Sequence, residues 1–380
     1  MALADPSHCY GCQACVNICP SNAINMQVNE LGEILPGIDI AFCSKCGICE
    51  KYCPVLNPVA LHSTKQCFAA WSKAELRNCK SASGSIAWRI GCQILGAKGT
   101  AFGAAFNNLH LQHRRAVSED ELELFCGSKY VQSDIGNSFV EVQKDLNEGR
   151  TVVFFGTPCQ NAGLKCFLRK DYKNLFTVDL VCHGIVPWKH FYEHVRENLS
   201  NVSNCHVVFR DRNGYLFRII RNEKNIYART PNLDYYYMAF FQRLNFRECC
   251  YSCPYASEKR VGDITIGDFW GLKRETMRHA KLPMYISAVL INTEQGKKLW
   301  GMVAPDLEFE EREIAEAVAG NDQLKFPSRK PFNRKLFCYG YAWGGFAGGV
   351  VCSGLPFYLL YRKIRHWGGR ILRALKVTGA

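Results

Sequence analysis

Eight cysteines near the start of the chain have the spacing of ligands for iron–sulfur clusters. They form two runs with the same pattern, C-x2-C-x2-C-x3-C-P, and the cysteines are Cys9, Cys12, Cys15 and Cys19 in the first run and Cys43, Cys46, Cys49 and Cys53 in the second. Three thiolates spaced in this way bind one 4Fe-4S cube, and the fourth reaches the neighbouring cube. We therefore expect Cys53 to complete the first cluster and Cys19 the second. A pair of zinc sites or a disulfide framework is the alternative, but zinc sites use ligands in two separated pairs.

The composition indicates a folded protein with reduced thiols. The chain has 380 residues, of which 48% are hydrophobic, and it contains 21 cysteines. Its first residues lack the basic start and apolar run of a secretory signal. A thiol-rich chain without an export signal is expected in the cytoplasm, where cysteines bind metals instead of forming disulfides.

The positive charge is concentrated at the end of the chain. The formal net charge is +13, no acidic residue follows Asp322, and eleven Lys and Arg residues lie between Lys325 and Lys376. The rest of the chain therefore carries only about two positive charges. A basic groove across the main part of the protein is not indicated, and nucleic-acid binding is not expected.

The apolar pattern predicts a small head followed by a larger domain. Two short apolar pieces between the cysteine runs, 23–26 and 38–40, predict the strands of a hairpin. A linker follows over 54–63, and a new apolar strand opens at Cys67. We predict a ferredoxin-like two-cluster head over 1–61 and a main domain over 62–335, divided at about residue 160, before a tail over 336–380.

The sequence of the main domain predicts alternating strands and helices. A small-residue loop, Ser81 to Ser85, precedes a predicted helix from Ile86 to Leu95, and strand 98–106 follows it. Such a loop leaves backbone N–H groups free for a phosphate, although small residues also begin ordinary helices. A helix over 138–149 leads to a further strand. The segment 205–229 alternates like antiparallel strands, with turns at Asn213-Gly214 and at 221–225.

Two buried strands deliver cysteines at their carboxyl ends. The apolar run 151–155 leads to Cys159, and the run 175–181 ends at Cys182. Open α/β sheets bind ligands at this edge. Cys250 and Cys253 supply two more thiolates, and the four cysteines predict a third cluster. The alternative is that they are small core residues, because free cysteine is readily buried. The fold class is therefore α+β or α/β, with a ferredoxin-like head, an α/β domain and an antiparallel β insertion.

The motifs together resemble one family, that of the coenzyme F420 hydrogenase/dehydrogenase beta subunits. The resemblance runs from residue 1 to about 335. It rests on the two cysteine runs, the loop at Ser81–Gly84, GSKYVQS at 127–133, GTPCQ at 156–160, CHG at 182–184, C-x2-C at 250–253 and GDITIGDFWG at 262–271. It implies a flavoprotein with FAD and an additional 4Fe-4S cluster, and hence a main domain that binds flavin.

The resemblance also implies cofactor-binding residues. They are Ser83, Gly84, Lys129, Gly156, Thr157, His183, Asp263 and Asp268. Asp263 and Asp268 would bind a flavin ribose or only cap a turn, Lys129 would lie near the flavin or in solvent, and His183 would tune a cofactor or be structural. Ser85 stands where many members have a second glycine, which narrows the approach of a flavin phosphate. Cys249 is a spare thiol beside the chosen ligand Cys250.

The function expected from these parts is the conversion of hydride chemistry into single-electron transfer. The protein would pass electrons between a hydride carrier, coenzyme F420 or a similar molecule, and its clusters, a ferredoxin or a partner protein. One alternative is a flavin-free electron-relay subunit of a larger complex, since no nicotinamide-binding Gly-x-Gly-x-x-Gly is present. Another is the reduction of an organic acceptor, such as a chlorophyll-type or polysaccharide-pathway substrate.

The tail is apolar at first and then basic. Residues 336–361 carry no charge and are long enough to span a bilayer, but their glycines and Pro356 predict a poor helix. Residues 362–376 have an apolar face and basic flanks, as helices at a membrane surface do. The tail therefore predicts peripheral contact with the cytoplasmic membrane or a partner, or else a basic surface helix.

Overall fold

The computed structural model describes residues 3–73, 81–211, 214–279 and 281–358. Within the head, the predicted hairpin is confirmed: its two strands pair antiparallel, with Ile24 opposite Ile38 and Val28 opposite Ile34. A short helix contains the third cysteine of each run, Cys15 in the first and Cys49 in the second. The strands of the described chain are β1 Ile24–Val28, β2 Ile34–Ile38, β3 His62–Ser63, β4 Gln66–Ser72, β5 Thr100–Asn107, β6 His110–Ala116, β7 Val152–Gly156, β8 Leu175–Leu180, β9 His206–Asp211, β10 Gly214–Arg221, β11 Lys224–Arg229, β12 Lys259–Arg260, β13 Ile264–Asp268, β14 Ser287–Ile291 and β15 Leu307–Arg312.

The helices of the main domain begin where the sequence predicted them, at Ile86 and Ser138. The helices of the described chain are α1 Ala14–Ile18, α2 Ile48–Lys51, α3 Ile86–Gly96, α4 Glu119–Glu123, α5 Ser138–Asn147, α6 Pro158–Leu168, α7 Trp188–Asn198, α8 Tyr235–Phe241, α9 Glu294–Val303, α10 Ile314–Gly320 and α11 Arg334–Cys352.

An eight-stranded mixed sheet forms the centre of the main domain. Its strand order is β15-β4-β14-β13-β8-β7-β5-β6. Strands β5, β7, β8 and β13 are parallel, and β4 runs in the same direction because β14 is antiparallel to both β4 and β13. The carboxyl ends of these five strands therefore lie at one edge of the sheet. This carboxyl edge is where open α/β sheets bind their ligands.

Helices cover both faces of the sheet. On one face, α3 and α9 bury Ile90 and Leu299 against strand residues such as Val153 and Val289. On the other face, α5 and α6 pack against β5 and β7, and this core includes Cys12 and Ala14 of the head. Apolar residues buried on both faces explain why the parallel strands read as continuous apolar runs. The head is thereby fixed to the face that carries α6.

Strands β9–β11 form a separate sheet next to this domain. The order is β11-β10-β9, antiparallel throughout, as the alternating sequence predicted. Asn213 of the first predicted turn lies outside the described residues. The β insertion packs against α7, α8 and α11 through an aromatic core in which Phe209 and Phe217 stack with centroids 4.8 Å apart.

The C-terminal segment corrects one prediction. Its glycines predicted a poor helix, yet α11 is helical from Arg334 to Cys352 apart from a kink at Gly344 and Gly345. The kink lets the second half fold back on the first, and Gly340 lies so close to the carbonyl of Gly348 that a Cβ atom would be 2.3 Å away. Close packing between the two halves thus stabilises α11 although its glycines have low helix propensity. In the described part of the chain, helices long and apolar enough to cross a membrane are absent. The predicted helix over 362–376 lies outside the described residues.

Candidate iron–sulfur and cofactor site

Five cysteines from three distant segments line one cavity at the carboxyl edge of the sheet. They are Cys159, Cys182, Cys249, Cys250 and Cys253. The same cavity is lined by Tyr10 of the head, by His183, and by Arg247 and Tyr255. The four cysteines predicted as ligands of a third cluster are therefore neighbours, together with the spare thiol.

Cys159 is presented by the first turn of α6. Pro158 occupies the first helical position, where a missing N–H costs nothing, and the Thr157 N–H donates to Gln160 Oε1 at 3.0 Å. The Gln160 side chain in turn donates to Ser133 Oγ at 2.8 Å. Thr157 Oγ1 lies 3.2 Å from Cys159 Sγ. The positive end of the helix dipole offsets part of the cost of burying a thiolate at this position.

Cys182 is held by a buried ion pair at the end of β8. Asp179 accepts from Arg260 Nη2 at 3.0 Å, and both side chains are almost completely buried. The second carboxylate oxygen accepts from the backbone N–H groups of Val261 and Gly262 at 3.2 and 2.8 Å. Arg260 Nη1 also donates to Tyr255 O at 2.8 Å. The pair therefore ties the strand that leads to Cys182 to the segment that follows Cys253.

Cys249, Cys250 and Cys253 lie in and just after one short 3-10 turn, Glu248–Ser252. The turn is fixed at its start, because the Arg247 N–H donates to Ile185 O at 2.9 Å and the Cys250 N–H donates to Arg247 O at 3.0 Å. Ile185 is three residues beyond Cys182. These bonds bring the second and third segments of the cavity together.

The cysteines of the cavity influence each other electrostatically. Burial raises the pKa of Cys159, and it raises the pKa of Cys182 to about 12; the nearby Cys253 raises both further. For Cys249, by contrast, a hydrogen bond with Cys250 and the charge of Arg247 lower the pKa to about 7. Neutral thiols are thus favoured in most of the site until a positive group is bound. Iron binding to such a site would release protons.

The donor set fits an iron–sulfur cluster. Each iron of a 4Fe-4S cube takes its own thiolate, so ligands surround a volume instead of converging on one point. Within the described ranges, groups of three or more His, Cys, Asp or Glu side chains arranged for a single metal ion are absent. Cys159, Cys182, Cys250 and Cys253 would hold the cluster, and Cys249 lines the same cavity.

In the head, the two cysteine runs have the same backbone conformation. The second residue after the first cysteine has a positive φ in both runs, 62° at Gly11 and 56° at Lys45. The fourth residue repeats this, with φ of 60° at Gln13 and 72° at Gly47. Left-handed residues at matching positions turn each run into the same loop. Two loops of one shape are suited to bind two copies of one ligand.

The proximity of the head cysteines agrees with the predicted exchange of the fourth ligands. Burial raises the pKa of Cys9, and nearby Cys53 of the second run raises it further. Cys49 is influenced in the same way by Cys19 of the first run. The first run faces the main domain, since Cys12 is buried and the nearby Cys159 adds to the rise of its pKa. The second run faces outward, because Cys46 is exposed. The assignment of single ligands stays a prediction.

The Ser83–Gly84 loop lies at the carboxyl edge between β4 and β14. The Gly84 N–H donates to Ser287 Oγ at 3.0 Å, and that hydroxyl donates to Ser83 Oγ at 3.0 Å. A Cβ atom at Gly84 would approach the Ala70 carbonyl to 2.3 Å, which requires glycine there. Ser85 has φ of 66°, a conformation that glycine adopts more easily.

Lys129 and Asp263 make internal contacts. Lys129 Nζ donates to the carbonyls of Phe125, Cys126 and Gly127 at 2.8, 2.8 and 3.2 Å, and burial lowers the pKa of Lys129 to about 7. Asp263 accepts from Thr177 Oγ1 at 2.7 Å and from Thr293 Oγ1 at 2.6 Å, which joins β8 to the start of α9. Asp263 thus has a structural role, the kind of alternative that the sequence had left open, whereas Lys129 binds internal carbonyls and is not the lysine in solvent that was its alternative. Their cofactor roles stay predictions.

Asp268 and His183 lie at the carboxyl edge. Asp268 accepts from both terminal nitrogens of the buried Arg210 at 2.5 and 3.1 Å. The Arg210 guanidinium lies over the rings of Tyr215 and Tyr285, 4.7 and 4.5 Å from their centroids. His183 is exposed and lines the cavity, and its carbonyl accepts from Ser328. Gly156 ends β7, and its carbonyl accepts from Asn161 Nδ2 at 3.2 Å.

Several residues of the site were not predicted from the sequence. Arg247 and Tyr10 line the cavity, and Asp179 and Arg260 position it. Asp179 carried a signal, because it is the charged residue in the otherwise apolar run 175–181. Arg247 and Tyr10 carried none beyond their closeness to cysteines in the chain. Of the described cysteines, nineteen are free thiols, whereas Cys126 is disulfide-bonded and departs from the expectation of reduced thiols.

Known proteins match two regions of the chain. The family described as the C-terminal part of the coenzyme F420 hydrogenase/dehydrogenase beta subunit matches residues 149–317, and the 4Fe-4S dicluster domain matches residues 8–57. The ferredoxin-type protein NapF of Haemophilus influenzae is 34% identical over 59 residues, which are 16% of this chain and 33% of that protein. The chain thus spans about a third of the length of this curated relative.

One solved structure is similar over most of the chain. A chain of the F420-reducing NiFe hydrogenase complex from Methanosarcina barkeri is similar over 76% of this chain and 91% of its own length, with 18% identity and a TM-score of 0.47. The two regional matches coincide with the cysteine-bearing head and with the segment that supplies the cysteines of the cavity. By the two family matches, residues 149–317 are similar to the C-terminal part of coenzyme F420 hydrogenase/dehydrogenase beta subunits, and residues 8–57 are similar to 4Fe-4S dicluster domains.

Proposed function

We propose that the protein is an iron–sulfur flavoprotein oxidoreductase that passes electrons between a hydride carrier and 4Fe-4S clusters. The observation that carries this proposal is the five-cysteine cavity at the carboxyl edge of the sheet, directly beside the first cysteine run of the head. The family match supports oxidoreductase chemistry, and the dicluster match supports clusters in the head. Coenzyme F420 or a similar carrier is the proposed hydride donor or acceptor.

The third cluster would be held by Cys159, Cys182, Cys250 and Cys253. The Asp179–Arg260 pair keeps the second of these cysteines in place, and the helix N-terminus beneath Cys159 offsets part of the cost of a buried thiolate there. The exposed His183 stands at the mouth of this site. In this arrangement the chain provides a line of cysteine sites from the sheet edge, through the first run, to the exposed second run.

FAD is proposed to bind at the carboxyl edge, near the Ser83–Gly84 loop. When bound, a flavin exchanges two electrons as hydride with a carrier and single electrons with clusters. Asp268 and the start of α6, with Gly156 and Thr157, lie at the same edge. The aromatic rings around Arg210 supply flat apolar surface beside Asp268.

Metal and flavin content is the first test of this function. Protein purified without oxygen should contain about twelve irons per chain, four for each 4Fe-4S cube, together with one FAD. Eight irons without flavin would contradict the proposed exchange of electrons between a hydride carrier and the clusters. The function would then be that of a flavin-free electron-relay subunit. An organic acceptor, chlorophyll-type or from a polysaccharide pathway, would be indicated by full cofactor content with no turnover of coenzyme F420 but reduction of that substrate.

The choice of ligand between the adjacent thiols can be tested in the same way. Cys250→Ser should remove about four irons, whereas Cys249→Ser should retain them. The two variants are matched, because both replace a cysteine of the same cavity by its oxygen analogue. The opposite result would make Cys249 the ligand.

The outer cysteine run is the proposed contact for a ferredoxin or partner protein. Next to the exposed Cys46, the side chains of Ile40 and Phe42 are 80% and 68% exposed. An apolar patch beside an exposed cluster shortens the path to a docked partner. Ile40→Ser with Phe42→Ser should slow reduction of an added ferredoxin several-fold and leave reduction of a small dye unchanged. Equal rates with the ferredoxin would contradict docking here.

The C-terminal segment is proposed to contact the cytoplasmic face of a membrane. Phe332, Leu336, Tyr339 and Trp343 are exposed, and Trp343 stands beside the kink that forms the tip of α11. The following segment, 362–376, is basic. Exposed apolar and aromatic groups with adjacent cations are typical of peripheral binding to anionic lipid. Trp343→Ser should weaken cosedimentation with vesicles that contain phosphatidylglycerol; unchanged binding, or none by the unmodified chain, would contradict this contact.

A further inference from the structure

Arg247 is a completely buried arginine between the head and the main domain, with 1% of its surface exposed. On the side of the head, its Nη2 donates to Cys9 O at 3.1 Å and its Nη1 donates to Ile34 O at 2.9 Å. Nη1 also donates to Gln132 Oε1 of the main domain at 2.8 Å. One guanidinium therefore joins the first cysteine run, the hairpin of the head and the large domain.

On its other side, Arg247 belongs to the cavity of five cysteines. It lines this cavity together with Cys249 and Cys250, and its carbonyl accepts from the Cys250 N–H at 3.0 Å. Its charge acts on cysteines of both sites, because it is a neighbour of Cys9 as well as of Cys249. Arg247 is thus placed between two groups of predicted cluster ligands.

The approach of the head to this guanidinium is close. Gly11, between the first two cysteines of the head, has φ of 62°, and a Cβ atom there would lie 3.0 Å from both terminal nitrogens of Arg247. A side chain at this position would push the guanidinium away from Cys9. The cysteine loop and the arginine are therefore fitted to each other.

Among the described residues, the charge of Arg247 lacks a direct carboxylate partner. Arg210 and Arg260, by contrast, each form an ion pair with an aspartate. Its terminal nitrogens donate to two carbonyls and an amide oxygen, and the Cys249 side chain is a further partner. The nearby Glu33 instead accepts from the Glu248 N–H at 2.8 Å. A buried cation that is not neutralised is strongly unfavourable. Clusters bound by four thiolates are anionic, and such clusters on either side would supply the missing negative charge.

We propose that Arg247 couples the head to the main-domain site, holding the two cysteine sites against each other and stabilising the reduced, more negative state of the clusters on both sides. This inference rests on the proposed function, since it assumes clusters at both sites. Arg247 acts here as a positioning residue, through its hydrogen bonds and its fixed charge. Removal of that charge should make the clusters harder to reduce.

The test compares two variants of the full chain, purified without oxygen. Arg247→Gln removes the charge and retains hydrogen-bonding groups, whereas Arg247→Lys retains the charge and loses the planar pair of donors. The matched control is Arg334→Gln, because Arg334 is also buried and donates to two carbonyls, Leu244 O at 2.6 Å and Phe246 O at 2.7 Å. Iron content, amide exchange of residues 9–15 and midpoint potentials from an EPR-monitored redox titration are measured for each.

The expected result separates charge from position. R247Q should shift the midpoint potentials of the adjacent clusters to more negative values, while R247K and R334Q should keep the potentials of the unmodified chain. Amide exchange in residues 9–15 should become faster in both Arg247 variants and not in R334Q. If R247Q loses iron, amide exchange in R247K decides: faster exchange in residues 9–15 supports the proposal, and exchange equal to that of the unmodified chain overturns it.

Three results would overturn it. They are unchanged potentials in R247Q with full iron content, an equal shift in R334Q, or a shift in R247K as large as that in R247Q. The proposed function fails separately, by an iron content of about eight in the unmodified chain. In that event the head clusters still report whether the charge of Arg247 acts on them.

Discussion

The head takes its eight predicted ligands from two short runs, 9–19 and 43–53, whereas the main-domain cavity takes its cysteines from three segments that are more than twenty residues apart. In the head, repeated left-handed residues shape each loop locally. In the main domain, sheet strands, the first turn of a helix and a buried ion pair bring the cysteines together. The comparison indicates that the head site depends on local sequence and the main-domain site on the integrity of the whole sheet.

The largest expected effect separates the two sites completely. Cys182→Ser should lose the four irons of the main-domain site and leave about eight in the head, because the head cysteines come from other segments. Iron analysis and EPR of the reduced protein measure this. Cys205→Ser is the control, since Cys205 is a buried cysteine of the β insertion. A loss of all iron in C182S would show that the sites do not assemble independently.

The second effect concerns the support of the main-domain site. Asp179→Asn leaves Arg260 as an unpaired buried charge and should lower the free energy of unfolding by about 3–5 kcal/mol. Urea denaturation measures it, and iron analysis should show a loss restricted to the cavity. Glu294→Gln breaks the exposed pair with Lys65 and should change stability far less than Asp179→Asn does. If the two variants lost the same stability and the same amount of iron, the main-domain site would not depend on the buried Asp179–Arg260 pair.

A smaller effect concerns the junction between the regions. His190 Nε2 lies 2.8 Å from Leu31 O of the head, and burial lowers the pKa of His190 to about 3. The unfolded chain binds this proton near pH 6.5, so the unfolded state gains protons first and stability falls as the pH drops below 6.5. Between pH 7 and pH 5 the loss from this residue should be about 2 kcal/mol.

The measurement is urea denaturation of the unmodified chain and of His190→Phe at pH 7 and pH 5. The variant should lose about 2 kcal/mol less than the unmodified chain over this interval. His113→Phe is the comparison within the sheet, because burial lowers the pKa of His113 to about 4 in the same way. If the free energy of unfolding fell equally between pH 7 and pH 5 in H190F and in the unmodified chain, the prediction that His190 is buried and neutral at the junction would be wrong.

The smallest effect concerns the loop proposed for FAD. Ser85 has φ of 66°, and Ser85→Gly relieves a conformation that costs about 1 kcal/mol for residues with a Cβ atom. The gain in stability should be no larger than this, and FAD retention should rise because the hydroxymethyl group is removed. Thermal denaturation and flavin content after dialysis measure the two changes. Lower flavin retention would show that the Ser85 hydroxyl contributes to binding.

Much of the fold was predictable because its signals are local. The apolar runs before Cys159 and Cys182 are buried parallel strands, the helices at Ile86 and Ser138 begin as predicted, and the head hairpin is present. The tail was misjudged because propensity describes an isolated helix, whereas α11 is stabilised by close packing of its two halves around Gly340 and Gly348. Tertiary contacts override propensity when glycine permits such an approach.

The candidate site was predictable only in part. Cysteine spacing and the carboxyl-edge rule identified the thiols that line the cavity. The same reasoning could not find Arg247, because its contacts are to Cys9 and Gln132, more than a hundred residues away in the chain. Nor could it decide that Lys129 and Asp263 satisfy their charges within the fold.

The sequence by itself determined the chemistry of the head, since ligand spacing and the conformation of a short loop are properties of neighbouring residues. It also determined which strands are buried, because an apolar run needs cover on both faces. Only the tertiary structure decided that three distant cysteine segments share one cavity and that a buried arginine lies between this cavity and the head. The physical reason is that strand order, and with it every contact across the sheet, depends on packing between residues that are far apart in the chain.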